Sequence, residues 1–71
     1  MITLDLIQTR LRESIRNSPL SQKEIAKAIG VSPQTVSKYM KNEVFPALDT
    51  FANLCQLLDV KTDYVLGLSD Y

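Results

Sequence analysis

The amino-acid sequence predicts an all-α fold, a small bundle of five short helices in one domain spanning residues 1–71. Three observations carry that expectation. Apolar residues recur at spacings of three and four along most of the chain, the period of one helical face. Residues suited to opening helices (Ser, Thr) and to closing them (Gly, Asn, Pro) fall at the breaks between those runs. No stretch alternates apolar and polar side chains as a half-buried strand does, and no internal repeat or low-complexity tract is present.

The first helix is marked by Leu4, Ile7, Leu11 and Ile15. Thr3 can cap it, Asp5 suits the positive end of its dipole, and Asn17-Ser18-Pro19 ends it, because the residue before a proline is pushed out of the helical region. Arg10, Arg12 and Arg16 fall on its solvent face and read as a generic charged surface. The second helix opens with a capping box, Ser21 and Glu24, flanked by Leu20 and Ile25 as a hydrophobic staple. Ile25, Ala26 and Ile29 form its buried face, and Gly30 can take the left-handed closing conformation.

The third helix follows after two residues, with Ser32 as cap and Pro33 at the first helical position, where a missing N–H costs nothing. Val31 and Val36 repeat the staple spacing; Val36, Tyr39 and Met40 point inward, and Asn42 is the stop. A loop through Val44, Phe45 and Pro46 leads to a fourth helix from about Leu48 to Leu58, with Leu48, Phe51, Ala52, Leu54, Cys55 and Leu58 as a wide apolar face. The loop has two readings: Phe45 folds back over the bundle, or Val44 and Phe45 form part of a two-fold contact between copies. A fifth turn has Thr62 as cap and Gly67 as stop, and residues 68–71 read as a frayed tail.

Composition narrows the function classes. The chain is 45% hydrophobic and 23% charged, as a globular domain is. A core this small gives limited stability, which favours oligomerisation. Cys55 is the lone cysteine and there is no histidine, so an internal disulfide is excluded and a zinc site has too few ligands. Cys55 reads as a core residue and not a nucleophile, because nothing nearby in sequence would activate it. Asp59, Asp63 and Asp70 read as solvated surface, with no catalytic pair among them, and no cofactor is expected. The N-terminus lacks the pattern of a signal peptide, and no apolar run approaches the roughly 20 residues that span a bilayer, so a soluble, cytoplasmic protein is expected.

Net charge is zero, which would argue against a polyanionic partner. The zero is a sum of opposites. Residues 1–41 carry seven Lys or Arg against three Asp or Glu, a balance of +4; residues 42–71 carry one against five, a balance of −4. Such asymmetry points towards nucleic-acid contact. The basic part also holds two short helices joined by Gly30-Val31-Ser32, the helix-turn-helix pattern, with the small Ala26 allowing close approach. The outward residues of the third helix are Pro33, Gln34, Thr35, Ser37, Lys38 and Lys41, without a carboxylate. Gln pairs with adenine, Lys donates to guanine, and a Thr methyl suits the thymine methyl.

The stretch Leu20–Asn42, LSQKEIAKAIGVSPQTVSKYMKN, closely resembles the helix-turn-helix of the Cro and phage-repressor type, the Xre family. The likeness extends through Pro46, the Leu48–Leu58 helix and Asp63-Tyr64-Val65-Leu66-Gly67-Leu68, covering residues 4–68. It implies a lambda-repressor-like five-helix bundle whose second helix lies across the DNA backbone while the third enters the major groove. It assigns base contacts to Pro33, Gln34, Thr35 and Lys38, and phosphate contacts to Ser21, Gln22, Ser37 and Lys41. Four departures stand out. Lys41-Asn42-Glu43-Val44 replaces a more basic family segment, and Pro33 shifts base reading onto its neighbours. Ala47 stands where a capping Ser is usual, leaving Asp49 or Thr50 to take over. Ile15 and Met40 occupy the places of a common Arg–Glu pair, so an apolar contact is expected between them.

The function implied is that of a sequence-specific, DNA-binding transcriptional regulator, a repressor acting as a homodimer on a pseudo-palindromic operator, and not an enzyme. No membrane or small-molecule ligand is expected as a partner. The alternative is a protein-interaction module, adaptor or antitoxin, using the same fold with weak DNA affinity. The polar, cationic face of the third helix favours DNA.

Overall fold

Local chemistry sets most of the helix boundaries in the computed structural model, which describes residues 1–71. The helices are α1 (Leu4–Asn17), α2 (Gln22–Ile29), α3 (Pro33–Met40), α4 (Leu48–Leu58) and α5 (Thr62–Val65), with no strand. Thr3 Oγ1 accepts the Leu6 N–H at 3.2 Å and opens α1. At α2 the capping box is complete: Ser21 Oγ accepts the Glu24 N–H at 3.1 Å, and Glu24 Oε1 accepts the Ser21 N–H at 2.9 Å. Ser32 Oγ accepts the Thr35 N–H at 3.2 Å ahead of Pro33.

The last two helix starts differ from these. Ala47 offers no side-chain cap to α4, and Asp49 Oδ1 instead accepts the Thr50 N–H at 2.9 Å, satisfying one first-turn donor. Thr62, expected as the cap of α5, is its first helical residue. The chain is already extended at Lys61 (φ −75°, ψ 126°), whose carbonyl accepts the Val65 N–H, so α5 opens one residue early.

Four helices close in the same way. A residue at positive φ, namely Gly30 (+78°), Asn42 (+58°), Asp59 (+55°) or Gly67 (+82°), lets the next N–H turn back on a carbonyl five residues earlier. The bonds are Val31 to Ala26 at 3.0 Å, Glu43 to Lys38 at 3.0 Å, Val60 to Cys55 at 3.1 Å and Leu68 to Asp63 at 2.8 Å. Asp59 in this role was not foreseen, because Asp adopts the left-handed region less readily than Gly. Helix α1 is the exception and leaves through extended Ser18 (ψ 143°) before Pro19.

The core draws on all five helices: Leu11 and Ile15, Ile25 and Ala26, Val36 and Tyr39, Phe51, Leu54 and Cys55, and Val65, with no buried charge. α2 packs on both α3 and α4, while α1 packs on α3 and α5. The radius of gyration, 11.1 Å, is that of a compact chain of this length. Ile15 is buried, and Met40 packs half-buried against the same core.

Packing corrects the expectations for the α4 face, Arg10 and the tail, and places Phe45 in the first of its two readings. The apolar face of α4 is narrower than its sequence pattern: Leu48 is 82% exposed and Ala52 is exposed, because burying Phe51, Leu54 and Cys55 fixes the rotation of the helix and turns Leu48 and Ala52 to one side of the buried face. Phe45 folds back, with its ring 5.5 Å from that of Phe51, while Val44 faces solvent. Arg10 is not generic surface. Its Nη1 donates to the Tyr64 carbonyl at 2.6 Å and the Ser69 carbonyl at 2.9 Å, and its guanidinium lies 4.4 Å from the Tyr64 ring centre. The segment after α5 is therefore tied to α1 as far as Ser69 and is not frayed there.

Two substitutions at the positive-φ positions should move stability in opposite directions. Asp59→Gly relieves left-handed strain and should add about 0.5–1 kcal/mol in urea or thermal unfolding. Gly67→Ala brings in a Cβ 3.1 Å from Leu6 Cδ2 and 3.3 Å from Ile2 Cγ1, in a conformation disfavoured for alanine. It should cost more than about 1 kcal/mol.

Candidate nucleic-acid interface

The three-residue turn Gly30-Val31-Ser32 fixes how α3 is presented. Gly30 reverses the chain, Val31 is half-buried against the core, and Ser32 starts the next helix by capping it. Ala26, fully buried, carries nothing beyond Cβ to hold α3 away. Burying Val36 and Tyr39 fixes the rotation of α3 about its axis. At 100° per residue the opposite face then centres on Gln34, Lys38 and Lys41, and all three are exposed. Gln34 and Lys38 are one turn apart and project side by side.

The remaining expected base-reading and phosphate positions flank this arc. Pro33 is exposed at the head of α3, and Ser37 and Thr35 are half-buried on its two shoulders. The Thr35 hydroxyl lies 2.9 Å from Ser32 Oγ and is engaged there. Ser21 and Gln22 are exposed at the head of α2, where unpaired N–H groups and the helix dipole favour an anion. Ser21 Oγ accepts the Glu24 N–H. Lys23 and Lys27, one turn apart and exposed on α2, are further cations that received no role from the sequence; their four-residue spacing was the available signal.

The surface is convex where these residues lie. Depressions in the molecule run along α1, α4 and α5, and none is lined by a residue of α2 or α3. Cys55 is 1% exposed and burial pushes its thiol above the ordinary value, the reverse of what a nucleophile needs. Burial likewise raises the Tyr39 phenol. No helix is long and apolar enough to cross a membrane.

Two short helices packed on one another, a glycine turn between them and a polar cationic face on the second accompany a match to the helix-turn-helix family over residues 11–65. The chain belongs to this family, in its Xre type. Among similar proteins of Bacillus subtilis (strain 168), the uncharacterized HTH-type transcriptional regulator YobD is 34% identical over 61 residues, which is 86% of this chain and 54% of YobD. The HTH-type transcriptional regulator ImmR is 34% identical over 58 residues, 82% of this chain and 46% of ImmR. The chain spans about half the length of these relatives.

Solved structures agree on the fold. The SOS-response transcriptional repressor LexA from Eubacterium rectale superposes with a TM-score of 0.76 at 29% identity, over 87% of this chain and 66% of that one. The clp gene regulator ClgR from C. glutamicum gives 0.75 at 22% identity, over 93% and 87%. The expected fold class, an all-α five-helix bundle of the repressor type, is the one observed.

The capping box at the head of α2 gives this helix a pH-dependent anchor. The bond from the Ser21 N–H, and then that from its hydroxyl, hold the Glu24 carboxyl below its ordinary value. A folded-state value lowered in this way adds stability above the ordinary carboxylate range and loses it as pH falls through the folded value. Glu24→Gln should therefore be less stable than the parent near neutrality, and the difference should vanish in acid; parallel unfolding curves across pH check this. Ser21→Ala removes the cap itself and should cost about 1 kcal/mol.

Proposed function

We propose that residues 1–71 act as one DNA-reading unit of a cytoplasmic, non-enzymatic transcriptional regulator that represses by occupancy. The observation that carries this is the exposed face of α3, where Gln34, Lys38 and Lys41 stand together without a carboxylate. In the proposed complex α3 enters the major groove, with Pro33, Gln34, Thr35 and Lys38 against base edges. Ser21, Gln22, Ser37 and Lys41 meet the phosphates and set the register. Family membership and the names of the relatives support DNA as the partner.

The unit works as a homodimer in this proposal, with two α3 helices in successive major grooves on half-sites about 34–36 Å apart. Val44, 41% exposed, and Leu48, 82% exposed, together with exposed Ala47 and Ala52, supply an apolar surface for the two-fold contact. Singly exposed apolar residues are common, whereas a cluster of them at one helix start marks a contact surface.

Mobility shifts against a preferred duplex and a random one test the assignments. Gln34→Ala should lose about 1–3 kcal/mol on the preferred duplex and relax one base position, whereas Gln22→Ala should weaken both duplexes alike. Binding should fall steeply as salt rises. Equal losses for both variants on both duplexes would overturn the division of roles. Leu48→Asp should leave the circular dichroism unchanged and shift the sedimenting species from dimer to monomer.

A further inference from the structure

Helix α2 carries its charges unevenly. Ile25 and Ala26 mark its buried face. At about 100° per residue, Lys23 and Lys27 fall beyond Ala26 while Glu24 and Ala28 fall beyond Ile25, and all four are exposed. Ala26 is the residue against which α3 lies close, so the two lysines occupy the flank of α2 that borders α3. Glu24, the one carboxylate of α2, is on the other flank, and the capping box turns it back onto the Ser21 N–H at 2.9 Å. Lys23 and Lys27 stand one turn apart with no carboxylate between them. Like charges at this spacing cost a helix stability. An anion bound across the pair removes that cost.

We infer that Lys23 and Lys27 are positioning residues that grip the DNA phosphates along one wall of the groove that α3 enters. This rests on the placement of α3 in the major groove proposed above. That groove is about 12 Å wide. Packed helices lie about 8–10 Å apart. A helix packed against the one in the groove therefore rides over the wall and not over the bases, and its flank nearest that helix faces the phosphates. Lysine suits the task, because a point charge on a flexible stem meets a phosphate oxygen without a fixed geometry. Gln22, at the head of the same helix, contributes an uncharged contact, and the two lysines contribute the charge. They set strength and register and carry no base information.

Duplex binding titrated across a range of salt concentrations tests the inference. Plotted as log affinity against log salt, Lys23→Gln and Lys27→Gln should each make the slope shallower by about 0.9, and the double variant by about 1.8, on preferred and random duplex alike. Lys23→Arg and Lys27→Arg keep the charge and should keep the parental slope. Lys61→Gln removes an equal charge from the head of α5 and should also leave the slope at its parental value. Circular dichroism should show every variant folded, since each change is at an exposed position.

A parental slope in the double glutamine variant would overturn the inference. So would an equal change from Lys61→Gln, which would make the effect one of net charge and not of place. A loss confined to the preferred duplex would overturn it as well, because the lysines would then be reading bases. Gln34→Ala with no effect on the preferred duplex would instead overturn the placement of α3, and the assignment of the wall with it.

Discussion

Ala26 on α2 is fully buried, and the helix that carries it packs on both α3 and α4. Its lack of bulk lets α3 lie close, and the Gly30 turn brings α3 back at the required angle. The other placements follow from that seam. Val36 and Tyr39 fix the rotation of α3 by entering the core beside Ile25, and that rotation decides which residues face outward. α1 and α4 then close the core around α2 and α3. A larger side chain at position 26 would displace α3 and every group it presents, because packed interiors have little room to yield.

Most helix boundaries were legible in the sequence because their causes are local. A serine followed three residues later by a glutamate, or a glycine after the last apolar residue, acts through groups within one turn. The exposed polar face of α3 was legible for a related reason: two buried residues fix a period, and the period assigns the rest. What escaped depends on distance along the chain. Arg10 meets partners 54 and 59 residues away, and no spacing rule reaches so far. The exposure of Leu48 follows from the rotation of α4 that buries Phe51, Leu54 and Cys55. Asp59 at positive φ is set by the need to close α4 before α5, against the residue's own preference. Within the site, the positions were legible and the contact between the Ser32 and Thr35 hydroxyls was not, since each residue has a plausible role alone.

The charge distribution takes on meaning from the fold. No charged side chain is buried, so the acidic and basic halves of the sequence remain at the surface. The carboxylates after residue 42 limit the overall charge to zero, and with it indiscriminate attraction to polyanions. The cations of α2 and α3 retain a local field. A molecule arranged in this way gains orientation from its charge more than strength.

The Arg10 tie has a mechanical consequence. Without it, tension on the chain after α5 would fall on a four-residue helix, the shortest in the molecule. With it, the same pull reaches the middle of the fourteen-residue α1 through two carbonyls and a stacked ring. The load is shared between bonds that must break together instead of being peeled away one at a time. The C-terminal end of the bundle is thus anchored to α1, the same helix that packs on α3.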